Sequence, residues 1–334
     1  MLQMDEQSSP KLRHIWLEVT GRCNLQCTHC YADSGPTSGH GIMSQQDWLR
    51  VIDEADELAA SSIQFIGGEP TLHPNFLLLL RHAASKRGAV EVYTNMVSVK
   101  DEHWSGYQDL GISLATSFYG SESSTHDAMT KRRGSQSRTL KNIESAVARG
   151  IPIRVAIISE DDGDQSESAT ANLLAQVGVT DISWDRVRGV GRGSGIQPEP
   201  QLDALCGNCT AASAAVAPSG DVFPCIFART ASVGNVRQKG LADVLGGSSM
   251  RGRIDALRDH FARRPPVMRG QCTPCAPDSC NPNTPPPPCR PLELTKPYDP
   301  GRPPDKIPFE KLPLREKIPT KRVPKIKPEH DQPN

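Results

Sequence analysis

The chain has 334 residues, 37% of them apolar and 23% charged, with 38 basic side chains matched by 38 acidic ones. That length holds one large or two ordinary domains of a globular body, and the even charge leaves no electrostatic footprint for nucleic acid. Residues 1–20 mix Asp5, Glu6, Lys11 and Arg13 with no apolar run, so they predict no secretory signal, no membrane partner and a cytoplasmic protein, in which ten cysteines point to metal or redox groups rather than disulfides.

Residues 14–20 (His-Ile-Trp-Leu-Glu-Val-Thr) predict a strand, followed at once by a loop rich in cysteine. Ser44 and Asp47 form a capping box ahead of Trp48, Leu49, Val51, Ile52, Ala55 and Leu58, which recur at helical spacing. A short strand over 63–66 then ends in Gly67-Gly68-Glu69-Pro70. The alternation continues with a helix over about 75–86, a strand over 90–94, a helix over about 102–110 and a strand over 112–117. A helix over about 137–149, stopped by Gly150, precedes a strand over 153–158. A helix over about 168–177, stopped by Gly178, precedes a sixth strand over 181–184. Six strands separated by helices imply an α/β fold with a parallel sheet. A closed eight-stranded barrel takes about 250 residues, and this alternation stops after about 180, so an open barrel fits better.

The loop after the first strand reads Cys23-x3-Cys27-x2-Cys30, which supplies three thiolates where a 4Fe–4S cluster has four irons to ligate. One iron is left open for an exogenous ligand. A zinc knuckle completed by His29 is the alternative, although zinc sites favour paired Cys-x2-Cys. The two glycines at 67 and 68 let the main chain approach a ligand closely, Glu69 accepts from an ammonium, and Pro70 fixes the exit from the loop. From Cys206 the texture changes to cysteines, glycines and turns: Cys206, Cys209, Cys225, Cys272, Cys275, Cys280 and Cys289 account for every cysteine outside the triplet.

Together the triplet and the Gly-Gly-Glu-Pro loop resemble the radical S-adenosylmethionine (radical SAM) superfamily, and the later cysteines resemble its SPASM extension, found on enzymes that modify peptides. The resemblance implies a partial (β/α)6 barrel over residues 13–200, after an N-terminal extension over 1–12, and a SPASM-like auxiliary domain over 201–289. It implies that Cys23, Cys27 and Cys30 hold a 4Fe–4S cluster whose open iron binds S-adenosylmethionine. Gly67, Gly68, Glu69 and Pro70 would meet the cofactor's amino group, Asn95 and Ser117 its ribose and carboxylate, and His29 and Tyr31 would lie against the cluster. Many relatives read Ser-x-Asp-Gly at the fourth strand where this chain has Ser117-Phe118-Tyr119-Gly120, which leaves the acid's role without an owner. Arg154, Arg186 or Arg188 would pair with a carboxylate.

Seven later thiols are one short of two complete 4Fe–4S sites, because residues 281–288 lack a cysteine that the SPASM pattern carries. The reading assigns Cys206, Cys209 and Cys225 to an inner auxiliary cluster and Cys272, Cys275, Cys280 and Cys289 to an outer one; zinc stays open here, since two Cys-x2-Cys pairs are present. Residues 282–334 hold 16 of the 29 prolines, so 290–334 is expected to be a disordered tail, either inert or a docking arm.

The implied activity is generation of a 5′-deoxyadenosyl radical that takes hydrogen from a ribosomal precursor peptide, leading to side-chain cross-linking, with an external electron donor and a separate leader-recognition protein as partners. The alternatives are an aldehyde-forming oxidase similar to sulfatase-maturing enzymes, which would need a catalytic acid in the SPASM region where Asp221 is present but not marked as a base rather than a turn residue, and a zinc-bound scaffold without catalysis.

Overall fold

The structure, a computed structural model, describes residues 12–159, 164–198, 202, 204–205, 212–230 and 232–262. Cys206, Cys209, Cys272, Cys275, Cys280 and Cys289 and the proline-rich tail lie outside the described residues.

The first half repeats strand and helix as expected: β1 (His14–Thr20), α1 (Gln45–Glu57), β2 (Ser62–Gly67), α2 (Phe76–Ala84), β3 (Ala89–Tyr93), α3 (Asp101–Asp109) and β4 (Ser113–Phe118). The Ser44–Asp47 capping box starts α1, with both reciprocal hydrogen bonds present. Two helices, α4 (Ser123–Thr130) and α5 (Ser135–Ala148), then precede β5 (Ile153–Ser159), α6 (Asp164–Gln176) and β6 (Asp181–Arg186). The sequence pattern gave no reason to expect α4. Its segment is polar, and Asp127 ties it to the next helix by accepting from the N–H groups of Gly134 and Gln136 and the hydroxyl of Ser135.

β1 to β6 pair in parallel and in order. Beyond β6 the chain crosses to the other edge, where β7 (Ser213–Val216) joins β1 in parallel, with β8 (Asp221–Phe223) and β9 (Gly234–Asn235) added antiparallel. The result is one nine-stranded sheet, ordered β6-β5-β4-β3-β2-β1-β7-β8-β9. A short helix, α7 (Leu241–Leu245), and a longer one, α8 (Ser248–Ala262), complete the described fold.

Alternation along β1 shows what the layers bury. Ile15, Leu17 and Val19 are 0% exposed and pack with Trp48, Val51, Ile52, Leu79 and Leu80 under the helices; full burial of each such side chain is worth about 1.5–3 kcal/mol. The opposite face carries Trp16, Glu18 and Thr20. Among the described residues no helix is long and apolar enough to cross a membrane.

Candidate functional site

The carboxyl ends of β1, β2 and β3 converge through main-chain contacts that the two glycines after β2 make possible. Gly68 N–H donates to the Thr20 carbonyl at 2.7 Å and Glu69 N–H to the Arg22 carbonyl at 2.8 Å. A β-carbon on Gly68 would stand 2.3 Å from the Arg22 oxygen, and one on Gly67, whose φ is +143°, would stand 2.4 Å from the Thr20 oxygen. The close approach these glycines permit is therefore to the chain that leads into Cys23, and it seats Glu69 beside the cysteine loop.

Glu69 is 1% exposed. One carboxylate oxygen accepts from the Thr71 hydroxyl (2.7 Å), the Thr71 N–H (3.2 Å) and the Thr94 hydroxyl (2.9 Å), and the other from the Asn95 N–H (2.9 Å). Every one of these donors is neutral, and burial pushes the carboxyl's pKa above its ordinary value despite them. Pro70 opens a short 3-10 turn, Pro70–Leu72, that Glu69 caps. The Asn95 side chain donates to Asn24 Oδ1 at 2.7 Å and reaches Cys23 Sγ at 3.8 Å, which ties the end of β3 to the cysteine loop. Ser117, at the end of β4, shares a hydrogen bond of 2.8 Å with the Tyr93 hydroxyl.

Two of the three thiols meet backbone donors: Leu25 N–H lies 3.4 Å from Cys23 Sγ and Ser34 N–H 3.3 Å from Cys30 Sγ. Cys23 is 8% exposed and packs with Leu25 and Val97. Burial first, and then the Glu69 charge, push the Cys23 thiol up to about 12; Cys27 is raised by burial and by the neighbouring Cys23 and Cys30. The thiols oppose one another's ionisation, and a bound cationic centre would reverse that sign. Among the described residues no three His, Cys, Asp or Glu side chains draw together around a single metal ion. His29 stacks edge-on to Tyr119 at 4.8 Å, with Nδ1 buried and free of any hydrogen bond, and burial lowers its pKa to about 4, leaving it neutral.

The remaining candidates divide. Arg154 is committed to Glu91 by two hydrogen bonds of 2.7 Å. Arg188 grips Asp185 through both carboxylate oxygens and donates to the Ala204 carbonyl. Asp221, the first residue of β8, accepts from Ser219 in the β7–β8 turn and from Asn235 on β9. Cys225 is buried with Leu205, Ala228 and Leu257. Two groups escaped the sequence reading. Glu18, 1% exposed on β1, forms an ion pair with Arg229, whose guanidinium also lies over Tyr31 and Phe223 at 5.8 and 5.3 Å. Arg192 holds the back of the cysteine loop, and its one sequence signal is the run of four glycines at 189, 191, 193 and 195.

Comparison with known proteins bears on both halves. Residues 17–165 match the radical SAM superfamily and residues 201–281 match SPASM, an iron–sulfur cluster-binding domain. The chain is similar to the antilisterial bacteriocin subtilosin biosynthesis protein AlbA of Bacillus subtilis, at 28% identity over 265 residues, 68% of this chain and 58% of that protein. It is similar to mycofactocin maturase MftC of Mycobacterium tuberculosis at 31% identity over 189 residues, 54% of this chain and 46% of that protein. The chain thus spans about half the length of these curated relatives. The crystal structure of Streptococcus suis SuiB bound to precursor peptide SuiA shares the fold, with a TM-score of 0.62 at 15% identity over 74% of this chain and 67% of that one.

Proposed function

Because the chain belongs to the radical SAM superfamily and carries a SPASM domain, we propose that it is a peptide-modifying enzyme acting on a ribosomal precursor peptide, with side-chain cross-linking as its outcome. Both domains belong to families that carry 4Fe–4S clusters, and the first uses S-adenosylmethionine. What these groups supply when bound is one-electron chemistry: a 5′-deoxyadenosyl radical able to take a hydrogen atom from carbon. The protein's part is orientation, exclusion of water and tuning of potential.

The observation that carries this reading is the buried carboxylate of Glu69, hydrogen-bonded only to neutral donors, beside three thiols on one loop. A carboxylate so placed suits the ammonium of an amino-acid ligand, which would add a charge-assisted hydrogen bond and lower the cost of burial. Cys23, Cys27 and Cys30 would hold the first cluster. Gly67, Gly68 and Pro70 shape the Glu69 loop. Asn95 would present its amide beside Cys23, and Ser117, held by Tyr93, would face the cofactor's polar groups. His29, neutral and buried against Tyr119, would help close the site to water. Cys225 would belong to an auxiliary cluster.

AlbA is named for bacteriocin biosynthesis and MftC as a maturase, and SuiB was crystallised with its precursor peptide; these names favour a peptide substrate here. The aldehyde-forming alternative needs a catalytic acid, and Asp221 is engaged with Ser219 and Asn235. An external reductant and a separate leader-binding protein complete the proposal. The test is 5′-deoxyadenosine formation by anaerobically reconstituted protein given S-adenosylmethionine, dithionite and the precursor peptide encoded beside it. Wild type should form it and shift the peptide's mass by loss of hydrogen, and Cys27→Ala should do neither. Iron-loaded wild type that leaves S-adenosylmethionine intact with peptide present would defeat the reading.

A further inference from the structure

The segment that leaves β6, Gly189-Val190-Gly191-Arg192-Gly193-Ser194-Gly195, runs behind the cysteine loop, and Arg192 meets that loop four times. Its N–H donates to the Cys30 carbonyl at 3.0 Å. From the side chain, Nε donates to the Cys27 carbonyl at 2.8 Å, Nη2 to the Ser34 carbonyl at 2.7 Å and Nη1 to Asp33 Oδ1 at 2.7 Å. The glycines on either side make this approach possible. A β-carbon on Gly191, whose φ is +59°, would stand 2.4 Å from the Cys30 oxygen and 2.5 Å from the Tyr31 oxygen; one on Gly193 would stand 2.1 Å from the Arg188 oxygen.

One guanidinium thus spans the loop from Cys27 to Ser34. The opposite side of the loop is pinned separately, where Thr28 N–H donates to the Met129 carbonyl at 2.9 Å and Cys23 N–H to the Gly35 carbonyl at 3.1 Å. The planar fork of arginine points donors in several fixed directions at once, which the single ammonium of lysine does not.

We propose that Arg192 is a positioning residue for the cluster-binding loop, holding the carbonyls of Cys27, Cys30 and Ser34 so that two of the three thiols are spaced before iron arrives. The proposal rests on reading the triplet as cluster ligands. The same segment is also anchored at its start, because Arg188, four residues earlier, fastens to Asp185 and to the Ala204 carbonyl.

The test uses the full chain without iron, so that it stands apart from whether the protein cleaves S-adenosylmethionine. Hydrogen exchange of the amides of residues 27–34 is compared in wild type, Arg192→Met and Arg192→Lys, with the amides of β2–β4 as the internal standard. Arg192→Met should exchange at least tenfold faster over 27–34 with the standard unchanged, and Arg192→Lys should fall between. After reconstitution, the reduced Arg192→Met protein should show a broadened electron paramagnetic resonance signal, with the lysine variant closer to wild type. Exchange over 27–34 within twofold of wild type in both variants would overturn the proposal. Where Arg192→Met fails to hold its β2–β4 amides, the lysine variant decides by the same criterion.

Discussion

The loop that carries Cys23, Cys27 and Cys30 and the hairpin region that carries Cys225 hold their thiols by different means. The first is a lattice of main-chain hydrogen bonds: strand ends, two glycines, Asn95 and Arg192 fix its carbonyls and point N–H groups at two of its sulfurs. Cys225 follows the short strand β8 and sits among apolar side chains, Leu205, Ala228 and Leu257. Backbone donors point at two of the first loop's sulfurs, whereas Cys225 is buried within an apolar cluster. On the proposed reading, that division would suit a first centre that presents one open position to a cofactor and a second that is kept dry. Glu18 and Arg229 bridge the two regions, since the carboxylate belongs to β1 and the guanidinium to the segment after Cys225.

The largest expected effect separates the regions by function. Cys27→Ala should abolish 5′-deoxyadenosine formation, whereas Cys225→Ala should retain it and lose the modified peptide; chromatography of the nucleoside and mass spectrometry of the peptide read the two. If both variants lose the nucleoside, the regions are not separable. Next, Arg229→Met leaves Glu18 buried without its cation and should cost about 3–5 kcal/mol in denaturant unfolding. Pairing it with Glu18→Gln should recover most of that loss, and failure to recover would assign the cost to the stacking on Tyr31 and Phe223.

A smaller cost falls on the lattice itself. Gly68→Ala forces the Glu69 loop away from the Arg22 carbonyl and should destabilise by about 1–3 kcal/mol, with iron content at the first site falling in proportion; unchanged iron would show that the loop yields easily. The smallest effect is at Glu69. Glu69→Gln should weaken S-adenosylmethionine binding by roughly tenfold, the worth of one charge-assisted hydrogen bond, measured by calorimetry on reconstituted protein. Its stability should move the other way. A carboxyl whose folded pKa is raised binds its proton more tightly in the native state, so stability is full below the ordinary carboxylate pKa and is lost as pH rises through the folded value. Iron-free Glu69→Gln should therefore gain on wild type as pH climbs above that range, and parallel pH profiles would show that the Glu69 carboxyl is not strained by burial.

Much of the first region was readable from the chain because its signals are local. Strand and helix alternate with short breaks, the capping box at Ser44 spans four residues, and the triplet and the Gly-Gly-Glu-Pro run each follow a strand directly. The helix α4 was not readable, since its apolar content is low and its support comes from the Asp127 contacts to α5. Neither were the contacts of Arg192 with Cys27 and of Arg229 with Glu18, whose partners stand 165 and 211 residues apart. Nothing in a linear pattern brings such residues together; the crossing of the chain from β6 back to β1 does. For the same reason β7 was unforeseen as a partner of β1, because its four residues carry too little pattern to declare their sheet.

That crossing has a consequence for how the protein comes into being. His14 of β1 faces Ser213 of β7, so one edge of the strand that feeds the cysteine loop has no neighbour until nearly two hundred further residues have left the ribosome. At about 5–20 residues per second that interval is roughly 10–40 s, during which β1 offers unpaired backbone to any passing strand. The hazard falls on the nascent chain rather than on the finished protein, and it predicts that yield in cells depends on what shelters the first strand until the last of its neighbours arrives.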